Sequence, residues 1–201
     1  MKGSLIILSF FAVGLIGGIY NIFPQWMLND DLTTYALFGL MFLVGISIGS
    51  DKAAFYILRK MNFKIFLVPT TVIVGSLLGT ALISLMLSDI NVKEGMAVGA
   101  GFGYYSLSSI FISEISGKEL GVVALLSNIF REIITLLAVP ILVKYFGKLA
   151  GIASGGATAM DTTLPIIVKF TGKEYGIIAI FSGIVLTILV PMLIILILEV
   201  L

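Results

Sequence analysis

Apolar and polar positions along this chain come in blocks rather than in alternation. Residues 4–23 are a first apolar run of 20 residues, about 30 Å long as a helix and enough to span a bilayer. Pro24 ends it, Trp26 fits an interfacial anchor, and Asp31 in the NDDL turn is placed to cap the next run. Further apolar runs cover 33–50, 65–87, 120–143 and 176–198. The pattern predicts five membrane-crossing helices in one membrane domain, 1–201, with no strand and no soluble linker.

Two segments between these runs have a different texture. Residues 95–116 carry Gly95, Gly99, Gly101 and Gly103 and then YYSLSS at 104–109. Residues 151–170 contain GGATAMDTTLP at 155–165, with the acid Asp161, the hydroxyls of Thr162 and Thr163, and Pro165. Glycines and a proline at this density break a helix, and a break at membrane depth survives only inside protein or beside a wet cavity. Each segment crosses as a broken helix or dips in and returns as a re-entrant hairpin.

Charge distribution decides between them. Lys52, Arg59, Lys60 and Lys64 form the densest positive cluster, which belongs in the cytoplasm and puts the N-terminus there. Lys144 and Lys148 lie in a loop without an acid, and they also fall inside if 95–116 is re-entrant. The expectation is therefore five crossings, two re-entrant segments, N-terminus inside and C-terminus outside. GKELGVVA at 117–124 returns as GKEYGIIA at 172–179, an offset of 55 residues. That register sets Gly101 against Gly156 and Ser106 against Asp161, and predicts repeats at 95–146 and 150–201, inverted in the membrane so that their breaks meet near the midplane.

Composition narrows the chemistry. The 201 residues are 59% hydrophobic and 11% charged, with net charge +1, no cysteine and no histidine. That leaves no basic field for nucleic acid, no disulfide or thiolate chemistry, no imidazole base and none of the usual zinc ligands, so no metal and no cofactor is expected. An intramembrane hydrolase built on Ser106 or Asp161 lacks a histidine base and the paired aspartates of an aspartyl mechanism; the chain does not read as an enzyme.

The polar residues at membrane depth are the candidate site. Asp161, with Thr162 and Thr163, offers a carboxylate and two hydroxyls to a substrate or a proton; the same residue also suits a cap on a half-helix starting at Thr162. Asn128, Arg131, Glu132 and Thr135 share one face of the fourth run. Arg131 and Glu132 point about 100° apart and each needs a partner on another element, Asp161 being one for Arg131. They either fix helix packing as a buried pair or hold a charged ligand. Tyr104, Tyr105, Ser106 and Ser108, with Ser109, line a cavity or form an interfacial belt, and an aromatic face can hold an ammonium group. Asp51 reads as an interfacial residue.

Three stretches together, AGFGYYSLSS, the Asn128–x–x–Arg131–Glu132 helix and GGATAMDTTLPII, resemble the lysine exporter family of LysO-type transporters. The resemblance covers roughly residues 37–191. It implies export of L-lysine and its analogue thialysine from the cytoplasm across the inner membrane, coupled to inward proton movement, with Asp161 as the motif aspartate. The family's other important acid lies in an N-terminal portion that this chain starts too late to contain. That portion also occurs as a separate short protein, so the resemblance implies the larger part of a split exporter. Its partners would be L-lysine, protons, the lipid bilayer, a small N-terminal subunit and further copies of itself. The competing reading is a structural membrane subunit whose broken segments only pack against a partner.

Overall fold

The computed structural model describes residues 63–200 without interruption, together with isolated positions between 9 and 46. Chain contacts group Met1–Ser50 and Asp51–Leu201 into two units. In the first, Ser9, Val13, Gly14 and residues 16–19 are helical. Helix ends there, short of Pro24: the Ile22 amide bonds to the Gly17 carbonyl at 2.9 Å, and the Phe23 ring folds over Gly17, where a Cβ would collide with it. The remainder of the second predicted run apart from the helical Tyr35 and Ile46, together with Trp26, Asp31, Asp51 and the cluster Lys52, Arg59 and Lys60, lies outside the described residues.

Among its described residues the second unit is built of helices joined by turns, with no strand. A 3-10 turn, Phe63–Phe66, leads into α1, Leu67–Ser84. Then come α2, Val92–Gly99, and α3, Tyr105–Ser116; α4, Lys118–Phe146; α5, Lys148–Gly155; a 3-10 turn, Gly156–Met160; α6, Leu164–Thr171; and α7, Lys173–Ile195, which runs on into a π turn, Leu196–Val200. Among the described residues, α1, α4 and the α7–π run are long and apolar enough to cross a membrane. They stand where the third, fourth and fifth apolar runs are, and the two glycine-rich segments between them are the short broken pairs α2–α3 and α5–α6.

Local chemistry sets these boundaries. Asn91 and Glu94 close a capping box at the start of α2, the Asn91 side chain accepting from the Glu94 amide at 2.9 Å and the Glu94 carboxylate accepting from the Asn91 amide at 3.0 Å. A single glycine separates α3 from α4 and another separates α6 from α7. Gly117 has φ 97 and ψ 160 and Gly172 has φ 99 and ψ 160, a region open to glycine and strained for any other residue. The two GKE sequences therefore make the same corner.

Packing brings particular ends together. The starts of α1 and α5 and the end of α4 surround an apolar cavity of about 330 Å³, lined by Leu67, Val68, Phe146, Leu149 and Ala153 among others. The Lys148 ammonium, at the start of α5, lies 5.0 Å from the centre of the Tyr175 ring, at the start of α7. On α2, Gly95 sits where a Cβ would clash with Ser84 at the end of α1. Val68, Val139, Ile152, Ala159, Ile167 and Ala179 form a core between these helices. Leu78, Leu82, Phe130, Leu137 and Ile188 are exposed, as suits helices with lipid rather than water around them.

Candidate functional site

The two breaks touch. Phe102 stands at φ 48, an uncommon backbone state for a bulky residue, and its carbonyl accepts the Ala157 amide at 2.9 Å. Gly156, at φ 60, lies under that same carbonyl, where a Cβ would collide with Phe102 and crowd the Arg131 guanidinium. The side chain of Phe102 is fully buried. One backbone hydrogen bond thus joins the break of α2–α3 to the break of α5–α6.

A break strands amides and carbonyls that a continuous helix would pair, and each costs about 1–3 kcal/mol if left buried and unbonded. The polar face of α4 meets that demand for both breaks. Asn128 serves the first: its Oδ1 accepts the Gly103 amide at 2.7 Å, and its Nδ2 donates to the carbonyls of Ala124 at 2.8 Å and Val98 at 3.4 Å and to Ser108 Oγ at 3.4 Å. Arg131 serves the second: Nε donates to the Ser154 carbonyl at 3.0 Å and Nη2 to the Ala153 carbonyl at 3.1 Å, closing the C-terminal end of α5. Its Nη1 donates to Ser76 Oγ of α1 at 2.9 Å. One turn further on, Thr135 and Ser154 share a hydroxyl bond of 2.7 Å.

This corrects one expectation. Arg131 does not meet Asp161; its bonds go to the end of α5 and to Ser76, because helix-end carbonyls carry partial negative charge and lie directly beside it. A second correction concerns the cap. Helix α6 begins at Leu164 with Thr163 at its N-cap, and Asp161 Oδ1 accepts only from the amide and hydroxyl of Thr162. The 3-10 turn carries the chain as far as Met160 and delays the helix start, so Asp161 is two residues too early to cap α6.

The other candidate residues divide between the surface and the interior. Asp161 is exposed, Thr162 half-buried and Thr163 buried, its Oγ1 donating to the Thr158 carbonyl at 2.9 Å. Glu132 is fully buried, and its carboxylate and that of Asp161 act on each other electrostatically. Tyr104 is half-buried and its phenol feels the Asp161 charge. Tyr105 and Ser108 are buried and Ser106 is half-buried; Ser108 Oγ donates to the Tyr104 carbonyl at 2.9 Å, which ties it to the helix backbone. Sequence reasoning missed Ser76 and Ser154. The signal for Ser76 was present in the run GSLLGT, whose small and polar residues recur four positions apart on one face of α1. Among the described residues no group of His, Cys, Asp or Glu could hold a metal ion.

The family model of the lysine exporter LysO matches residues 8–198. The chain belongs to the LysO family. It is 33% identical over 186 residues to the Lysine exporter LysO of Escherichia coli, an alignment covering 92% of this chain and 59% of that protein. It is 32% identical over 197 residues to a Putative lysine exporter of Haemophilus influenzae, covering 94% of this chain and 95% of that one. The chain thus spans well under two thirds of the Escherichia coli relative. No solved structure matches it. For a LysO-family chain, the three long apolar helices and the broken pairs between them are the frame of a multi-pass membrane protein.

Proposed function

We propose that this chain exports L-lysine, and analogues such as thialysine, from the cytoplasm across the inner membrane by proton antiport. The observation that carries the reading is the LysO-family match along 8–198. Chemistry at the crossing of the breaks is consistent with it. Asp161 and Glu132 offer carboxylates, and Tyr104 a hydroxyl, to either a proton or an ammonium group, and alternation between the two is the minimum that antiport requires. Thr162, Thr163, Tyr105, Ser106 and Ser108 surround these groups in the proposed site, and Asn128 and Arg131 hold its backbone in place.

The proposed topology is five crossings with two re-entrant pairs, built as an inverted repeat over 95–146 and 150–201 of a single membrane domain. Three features support it. Gly117 and Gly172 make the same backbone corner. A Cβ at Gly121 would strike Ser113 and one at Gly176 would strike Val168, contacts related by the same 55-residue offset. The start of α5 lies beside the start of α7, as a pair that enters and leaves on one side requires. Lys144, Lys148, Lys169 and Lys173 belong to that end, which the positive-inside rule assigns to the cytoplasm, with the N-terminus also inside and the C-terminus outside.

The clamping bonds of Asn128 and Arg131 suit a purely structural subunit equally well. Lysine efflux from loaded vesicles, with and without a co-expressed N-terminal partner subunit, separates the two. Export requires saturable efflux in at least one of these preparations; its absence from both, in correctly inserted protein, leaves the structural subunit.

A further inference from the structure

Beside Arg131 lies a cavity of about 290 Å³ between α1, α2 and α4. Ser76, Thr80, Ser127 and Asn128 line it, with the bare backbones of Gly75 and Gly79. It sits at the lower end of the range of ligand pockets, roughly 300–1,000 Å³, and so suits a molecule no larger than one amino acid.

The charge balance here is unusual. The three hydrogen bonds of Arg131 all go to neutral oxygens. A guanidinium removed from water is ordinarily met by an anion. The end of α5 offers the partial negative charge of the Ala153 and Ser154 carbonyls, less than the full charge of a guanidinium. A guanidinium carries five N–H donors, so Nη1 and Nη2 each keep one after the bonds to Ser76 and Ala153. Neither Asp161 nor Glu132 is in this cavity's lining.

We infer that this cavity receives the α-carboxylate of the exported amino acid, held by the free N–H groups of Arg131. Its ammonium end faces the Asp161–Glu132 region. The assignment rests on the lysine-export reading and extends it. The site then reads both ends of its substrate and discriminates a zwitterionic amino acid from a simple diamine. The polyamine product of lysine decarboxylation carries both ammonium groups and no carboxylate, so it is a poor ligand.

The test is competition for radiolabelled L-lysine binding to the full chain in phosphatidylcholine nanodiscs, with L-lysine, L-lysinamide and 1,5-diaminopentane as competitors. Loss of one charge-assisted bond pair predicts that lysinamide and the diamine compete at least about tenfold more weakly than lysine. In Arg131→Gln, lysine falls to the level of lysinamide, so that the two compete equally. If that variant does not insert, Ser76→Ala keeps the arginine but frees its anchor, and lysine alone weakens by about twofold to threefold, the effect of one modest hydrogen bond. Equal competition by lysine and lysinamide overturns the carboxylate site while leaving lysine binding intact. Displacement of lysine by added phosphatidylglycerol assigns the cavity to a lipid phosphate and also overturns it. Absence of any saturable lysine binding, both with and without the co-expressed N-terminal partner, removes the export reading and this assignment together.

Discussion

The two breaks are built alike and served differently. At the first, between α2 and α3, a neutral amide, Asn128, bonds the Gly103 amide and the Val98 carbonyl. At the second, after α5, a full charge, Arg131, bonds two carbonyls, and the acid Asp161 stands five residues after Gly156. Both Asn128 and Arg131 stand on α4. In the 55-residue register their counterparts on α7 are Gly183 and Leu186, and the counterpart of Glu132 is Thr187. Helix α7 therefore packs where α4 bonds: a Cβ at Gly183 would strike Met160 and the Ala157 carbonyl. In the proposed repeat, one half lends its long helix to both breaks, while the other supplies close packing. On that reading a duplicated frame need not duplicate its chemistry, and the proposed site for a charged cargo lies in the charged half.

The strongest way to break the comparison is at the contact between the breaks. Gly156→Ala forces a Cβ into the Phe102 carbonyl and crowds the Arg131 guanidinium at a positive φ, a cost of about 1–3 kcal/mol for the backbone alone. Loss of most monodisperse protein in detergent chromatography is expected. Near-normal yield would mean that the breaks do not touch.

Next in size is the pair Asn128→Ala and Arg131→Ala. The first strands the buried Gly103 amide and is expected to destabilise by about 1–3 kcal/mol. The second frees carbonyls at the end of α5 and removes the bond to α1, so its thermal midpoint should fall further. A larger fall for Asn128→Ala would reverse the ranking of the two clamps.

Smallest is Gly75→Ala. A Cβ there meets nothing within 4 Å, so helix propensity should stabilise α1 slightly, by about 0.4–1 kcal/mol. A lowered midpoint would show that α1 has a close neighbour at that point.

Much of the frame was legible in the residues. The ends of α4 and α7 are set where apolar runs meet Gly117, Gly147 and Gly172, since each run stops at a residue able to turn the chain. The breaks were legible because the glycines at 101 and 103 and at 155 and 156 are closely spaced and flanked by polar residues, a density that weakens a helix. What was not legible is where the donors of Arg131 go. Their acceptors at Ala153 and Ser154 are main-chain oxygens, which every residue carries, so no letter marks them. The search for an acid partner therefore pointed to Asp161. Phe102 was hidden for the same reason: its role is made by a backbone angle, and a phenylalanine predicts no positive φ.

The central claim is that the charged break, not its neutral counterpart, carries the transported charge. Lysine-driven proton movement across proteoliposomes, read with an internal pH dye and with any required partner present, tests it directly in Asp161→Asn and in Ser106→Ala, the two residues paired by the repeat register. Asparagine keeps the size of the side chain and can still accept the bonds from Thr162. The account predicts that correctly inserted Asp161→Asn loses lysine-coupled proton movement by at least about a hundredfold, the scale expected of a residue that transfers the proton, while Ser106→Ala stays within about threefold of wild type. Wild-type coupling in Asp161→Asn, or its loss in Ser106→Ala alone, would contradict it.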